Sequence, residues 1–358
     1  MSDDVRPRPD RPEPDRPSIV FNRDSYPVVE KGHIVPRMYQ RAFAVDDKVA
    51  VHVDGNPQCV AMSTKTAGTR RRFYRRVRPD GEEIDDVEAS LAYVEDKATQ
   101  PLRDLIAGGP LTVEGKGILA QFIAVQMLRG PAFFENREQL LLPIIEGMEA
   151  KDFTPEGLAA AGGDAGVARE RVKEQIFGTT RRARSMLARS PKLGTVLGYM
   201  CWYIVRFAGP ALAYSDHPVV MWAMDVASTA ALEKQQFGPL SALEVRIPLA
   251  PDTGLLMNWV DRSDPLVVSL QTPAAAEFNA LTVAQADRQW MHRPGDEPEI
   301  ADGPLRPLSR LVEPAYDRSA MLRSARRAGA EQYIASVRDR EFVKTVQAVQ
   351  VLTDLGPA

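Results

Sequence analysis

Two of the four histidines in this 358-residue chain stand in polar, turn-forming segments, where an imidazole that titrates near neutral pH can take up or release a proton. His33 opens HIVPRMYQRAF, just ahead of Pro36. The fixed φ and missing N–H of that proline suit the first turn of a helix. His217 lies in Ser215-Asp216-His217-Pro218, between two hydrophobic runs. Pro218 pushes His217 toward extended geometry, and Ser215 and Asp216 can bond the turn backbone. Turn chemistry accounts for Asp216 more readily than for His217. Plotted at 100° per residue, the segment from Val113 to Arg129 puts Ile118, Leu119, Phe122, Ile123 and Val125 on one apolar arc with Gln126 and Arg129 inside it. An inward guanidinium needs a partner, because burying it alone costs several kcal/mol. Glu95 projects from the stripe of Leu91, Ala98 and Leu102 and is the natural partner, with Glu88 at the stripe's edge.

These residue types suit a metal-assisted or acid–base hydrolase, with His33, Glu95, Asp216 and His217 as its catalytic groups and Gln126 and Arg129 as ligand-binding ones. A divalent metal is the cofactor this reading admits, and a small or phosphate-containing molecule is its ligand. The alternative is an anion-binding regulatory module without catalysis, in which Arg129 receives the anion. A third reading is a buried polar network that only fixes packing. No HExxH, paired cysteine set, Walker loop or GxSxG elbow is present. A nuclease variant pairs Asp216 with Glu244-Val245-Arg246, and the arginines at 70–78 and 181–189 would then contact a nucleic-acid backbone. Such an acid then Glu-x-basic order arises often by chance, and the arginine clusters read equally well as a solvated surface.

The elements that must position these groups are legible from periodicity. Residues 1–20 repeat arginine, aspartate and proline and read as a disordered tail, followed by an α+β core domain over 21–295 and a linker with a helical extension over 296–358. KVAVHVDGNPQCVAM predicts two strands around the turn Asp54-Gly55-Asn56-Pro57. Helices are predicted over Asp85–Ile106, Val113–Arg129, Phe134–Met148 and Val167–Ala188. After Pro191 short aliphatic and aromatic runs predict a sheet, and TPAAAEFNALTVAQADRQW restores helical spacing. Helices grouped first and strands later give an α+β class, a helical bundle packed on a mostly antiparallel sheet in a single domain.

Bulk properties exclude several classes. A hydrophobic fraction of 44% suffices for a packed core, and 45 basic against 48 acidic side chains leave a net charge of -3 with no global field for polyanions. No run approaches the roughly 20 apolar residues of a membrane span, and the polar start lacks the apolar core of a signal peptide. Cys59 and Cys201 sit among apolar neighbours and read as buried, reduced thiols, so a cytoplasmic location without membrane association is expected.

Taken in order, the segments resemble an uncharacterised family, the domain of unknown function numbered four-two-three-eight. HIVPRMYQRAF is similar to its His-x-x-Pro-x-x-Tyr-x-x-x-Phe signature through His33, Pro36, Tyr39 and Phe43, with Gly32 where members often carry a second histidine. VEASLAYVEDK resembles its acidic helix through Glu88 and Glu95, and FIAVQMLRGP its Gln-x-x-Arg-x-Pro element through Gln126, Arg129 and Pro131. YSDHPVV and PLAPDTGLLM resemble its Ser-Asp-x-Pro turn and Pro-Leu-x-Pro strand. FNALTVAQADRQW is similar to its late helix and adds Asn279 as a ligand-binding position. The resemblance runs from about His33 to Trp290 and implies one compact domain with no assigned activity.

Overall fold

A computed structural model describes residues 31–71, 73, 76–77, 83–84, 86–130, 141–222, 244–258 and 265–302. The proposed N-terminal tail, the C-terminal extension beyond residue 302 and residues 134–140 of the expected third helix lie outside that set. Strand β1 (Lys31–His33) leads through Pro36 into helix α1 (Arg37–Gln40) and a 3-10 turn at Arg41–Phe43. The hairpin β2 (Lys48–Val53) and β3 (Val60–Ser63) closes around the expected turn, and β4 (Thr69–Arg71) pairs antiparallel with β1. Short strands β5 (Arg76–Val77) and β6 (Glu83–Ile84) precede α2 (Asp86–Ile106) and α3 (Val113–Arg129). The boundaries of both long helices fall within a residue of expectation because each is punctuated by chemistry. Thr112 Oγ1 accepts the Gly115 amide 3.0 Å away as an N-cap, and Gly130 goes extended to end α3.

Helix α3 is buried nearly all round, from Leu119 through Arg129, and packs against α7 and α2. A helix without a solvated face is a core helix, so any polar side chain it carries must be answered internally. Close approach to α7 requires Gly194, where a Cβ would lie 2.6 Å from Gln121 Oε1. Arg206, on the neighbouring sheet, donates to the carbonyls of Leu105 and Ile106, satisfying the last orphan acceptors of α2.

Two sequence expectations need correction. The segment from Val167 to Ala188 is two helices, because Gly178 turns to φ −56°, ψ 146°. After residues 141–146 (α4) and Pro155–Ala160 (α5), α6 spans Ala165–Phe177 and α7 spans Thr179–Tyr199. Helix α7 runs straight through Pro191, where the sheet was expected to begin. Pro191 has no N–H for the carbonyl of Leu187, and the Ser190 hydroxyl donates to that oxygen instead, at 3.1 Å. The second correction is at the late helix, where α8 stops at Gln285 and residues Gln289–His292 are strand β13.

The remaining strands are β7 (Cys201–Phe207), β8 (Tyr214–Ser215), β9 (Val220–Trp222), β10 (Glu244–Ala250), β11 (Thr253–Asn258) and β12 (Leu266–Leu270), with α8 (Ala275–Gln285) before β13. One sheet has the order β12-β7-β11-β10-β9, antiparallel apart from β12 on β7. A second has the order β3-β2-β13-β8, so a C-terminal strand is inserted beside the N-terminal hairpin. One continuous apolar cluster joins these sheets to α2, α3 and α7, as an α+β single domain requires. Among the described residues no helix is long and apolar enough to cross a membrane.

Candidate functional site

The signature residues after β1 are mostly packing. Tyr39 and Phe43 are fully buried; Tyr39 meets Tyr214 edge-on at 5.5 Å and donates its hydroxyl to the Pro248 carbonyl. Gln40 donates to the carbonyls of Val35 at 2.8 Å and Ala67 at 3.0 Å, clamping the turn that follows His33. His33 itself is aimed by a neighbouring network. Arg37 and Thr64 both bond Asp47, and the Thr64 carbonyl lies 3.2 Å from His33 Nε2. A carbonyl only accepts, so Nε2 carries the proton and Nδ1 the lone pair.

Beside His33 lies the ion pair expected between the two long helices. Arg129 Nη1 is 2.5 Å from Glu95 Oε1, with the arginine side chain 1% exposed and the glutamate 22%. Burial holds the His33 pKa below its usual value; the Thr64 contact opposes that shift, Arg129 adds to it and Glu95 opposes it. His33 is therefore neutral at pH 7. One turn before Arg129, Gln126 is 2% exposed, and neither its amide oxygen nor its amide nitrogen has a hydrogen-bond partner. Its i to i+3 spacing places it on the same side of α3 as the ion pair.

The other predicted residues are engaged elsewhere. The Asp216 carboxylate accepts the backbone amides of Asp287, Arg288 and Gln289 at 2.8, 2.9 and 3.2 Å. That capture draws the chain out of α8 and into β13, which is why the helix ends earlier than its periodicity suggests. Burial pushes the Asp216 pKa up, and the three amides restrain the rise. His217 turns the other way. Its Nε2 lies 3.3 Å from the Met127 carbonyl, its Nδ1 meets the Gln285 amide, and its ring covers the α carbon of Gly130, where a Cβ would come within 3.1 Å. Asn279 knits three segments, accepting from Ala213 N and donating to the carbonyls of Ala211 and Glu299. Glu244 is bonded by Arg246 two residues along its own strand and Asp216 by three backbone amides, so both carboxylates of the nuclease pattern are already engaged. Of the arginine clusters, Arg70 pairs with Asp287. Apart from Arg189, the side chains of the rest lie outside the described residues.

His33, Glu95 and Arg129 thus lie together with Gln126 on the same side of α3, Asp216 and Asn279 belong to the β8–α8 packing, and His217 joins that packing to the end of α3 at Met127 and Gly130. Among the described residues, the one grouping of three His, Cys, Asp or Glu donor atoms is a different set, His52, Cys59 and His292. Cys59 is exposed rather than buried, because it lies just outside the hairpin edge strand. Reading outward-facing positions on predicted strands would have singled out His52, but nothing in the sequence links it to His292.

A family model described as a protein of unknown function, DUF4238, matches residues 31–296. The chain belongs to that family. The match spans β1 through β13 and includes both polar neighbourhoods. Comparison with curated proteins and with solved structures finds no match.

Proposed function

We propose that the polar cluster of His33, Glu95, Gln126 and Arg129 binds a small polar molecule offering both a carbonyl-type oxygen and an N–H or O–H, as a carboxylic acid or an amide does. The observation that carries this reading is Gln126. A buried amide without partners costs about 1–3 kcal/mol for each unmet group, and a ligand with a donor–acceptor edge supplies both partners at once. The nearby charges favour a neutral or singly charged ligand. Glu95 already balances Arg129, so the pair offers no net positive charge to a phosphate dianion.

A catalytic version of this reading rests on His33, whose lone pair is on Nδ1 and whose imidazole stays neutral. That group suits a general base activating water on an ester or amide ligand, without a metal. Asp216 has no part in it, since its oxygens are committed to backbone amides.

The test is Gln126→Leu, which removes the unmet polar atoms at similar volume. The unliganded variant is expected to be more stable than wild type by about 1–2 kcal/mol, and to lose the thermal stabilisation that wild type gains from a panel of small carboxylic acids and amides. A destabilised variant with an unchanged panel response would mean that the amide is held by buried water in a structural role. Turnover of ester or amide panel members that is lost in His33→Asn while binding persists would establish the catalytic version.

A further inference from the structure

The outer face of the second sheet carries a cluster that the proposed ligand site does not use. In β2, Val49 and Val51 point into the core, and His52 takes the opposite face. The β2–β13 register sets Trp290 opposite His52 and His292 opposite Ala50, so the two histidines are diagonal neighbours on one face. One step past the last β2–β3 pair, Val51 with Val60, brings Cys59 alongside His52.

The donor atoms converge. His52 Nε2 and His292 Nε2 are 3.2 Å apart, and Cys59 Sγ is 3.9 Å from His292 Nε2. Glu297 stands beside the three converging donors, with one carboxylate oxygen 3.5 Å from His52 Nε2 and the other 3.4 Å from His292 Nε2. Tetrahedral zinc, with bonds of about 2.0 Å to nitrogen and oxygen and about 2.3 Å to sulfur, spaces its donors about 3.3–3.6 Å apart.

The surroundings orient the ligands. His292 Nδ1 faces the carbonyls of Arg293 at 2.9 Å and Asp296 at 3.1 Å. Both oxygens only accept, so Nδ1 carries the proton and Nε2 presents its lone pair to the cluster, the outer-shell arrangement typical of a metal-bound histidine. Trp290 lies flat on His52, with ring centres 3.7 Å apart and planes 3° apart, and fixes that imidazole's plane.

We propose that His52, Cys59, His292 and Glu297 form a zinc site. Sulfur and imidazole donors select zinc over magnesium or calcium, and a turn of the exposed Glu297 side chain onto the three converging donors would complete the tetrahedral shell of a structural centre. Its position explains its use. It staples the N-terminal hairpin and the 293–297 turn to β13, joining side chains 240 residues apart in sequence and closing the longest loop in the domain's second sheet.

The experiment uses the untagged full-length chain, stripped with chelator, reloaded with zinc or cobalt(II), and desalted. One zinc per chain is expected, with a raised thermal midpoint and, for cobalt, a thiolate-to-metal charge-transfer band together with tetrahedral d–d absorption. Cys59→Ser, an exposed position that should leave the fold intact, is expected to abolish the charge-transfer band and weaken zinc retention by 10-fold or more. His52→Gln provides a second, partly exposed variant and is expected to weaken retention by a similar factor. Failure of wild type to retain zinc, a cobalt spectrum without the thiolate band, or zinc retention in both variants equal to that of wild type would each overturn the assignment.

Discussion

The Glu95–Arg129 pair gives the sharpest energetic test of the interior cluster, because its two members are sealed to different degrees. The arginine side chain is 1% exposed and the glutamate 22%. Removing one partner of a buried pair costs about 3–5 kcal/mol, since the other charge stays buried without compensation. Glu95→Leu takes a carboxylate partner from the sealed guanidinium, which keeps its other contacts, and should fall at the lower end of that range, about 3 kcal/mol. Arg129→Met leaves a carboxylate that keeps some contact with water, so it should cost about 1–3 kcal/mol. The double variant replaces the pair with apolar groups and should lie within about 1 kcal/mol of wild type, giving a coupling energy of about 3 kcal/mol or more. Urea unfolding reads these values directly. With a slope of about 3 kcal/mol/M, Glu95→Leu lowers the midpoint by about 1 M. Additive single variants, each costing less than about 1 kcal/mol, would show that water reaches the pair in solution and would remove the electrostatic frame placed around His33.

Two further outcomes follow from individual side chains. Asp216→Ala leaves three backbone amides at the start of β13 without their acceptor and should cost about 2–4 kcal/mol, with weakened amide exchange protection at Asp287–Gln289; unchanged protection there would refute the capping role. His33 has a folded pKa below 6.5, so the unfolded chain binds its proton first as the pH drops, and the stability contributed by the neutral imidazole is fully present above about pH 6.5 and lost below it. Unfolding midpoints compared at pH 7.5 and 5.5 should therefore show a larger acid loss in wild type than in His33→Asn, and an identical loss in both would contradict the burial of this histidine.

Local chemistry made much of the fold legible in the sequence. The boundaries of α2 and α3 follow from hydrophobic period, a threonine cap and terminal glycines, all of which act within a few residues. The inward placement of Gln126 and Arg129 and the identity of Glu95 as partner follow from helix geometry alone, because a buried charge restricts what can face it. Where local signals competed with tertiary contacts, the contacts won. Pro191 sits inside a helix because Ser190 replaces its missing donor, and α8 ends early because Asp216, 71 residues away from the nearest captured amide, takes the next backbone N–H groups. Only the folded chain separates Asp216 from the interior cluster and unites His52 with Cys59 and His292. Strand register across 240 residues is a property of the whole packed sheet, and a single strand's alternation fixes which face a histidine takes without naming its neighbour.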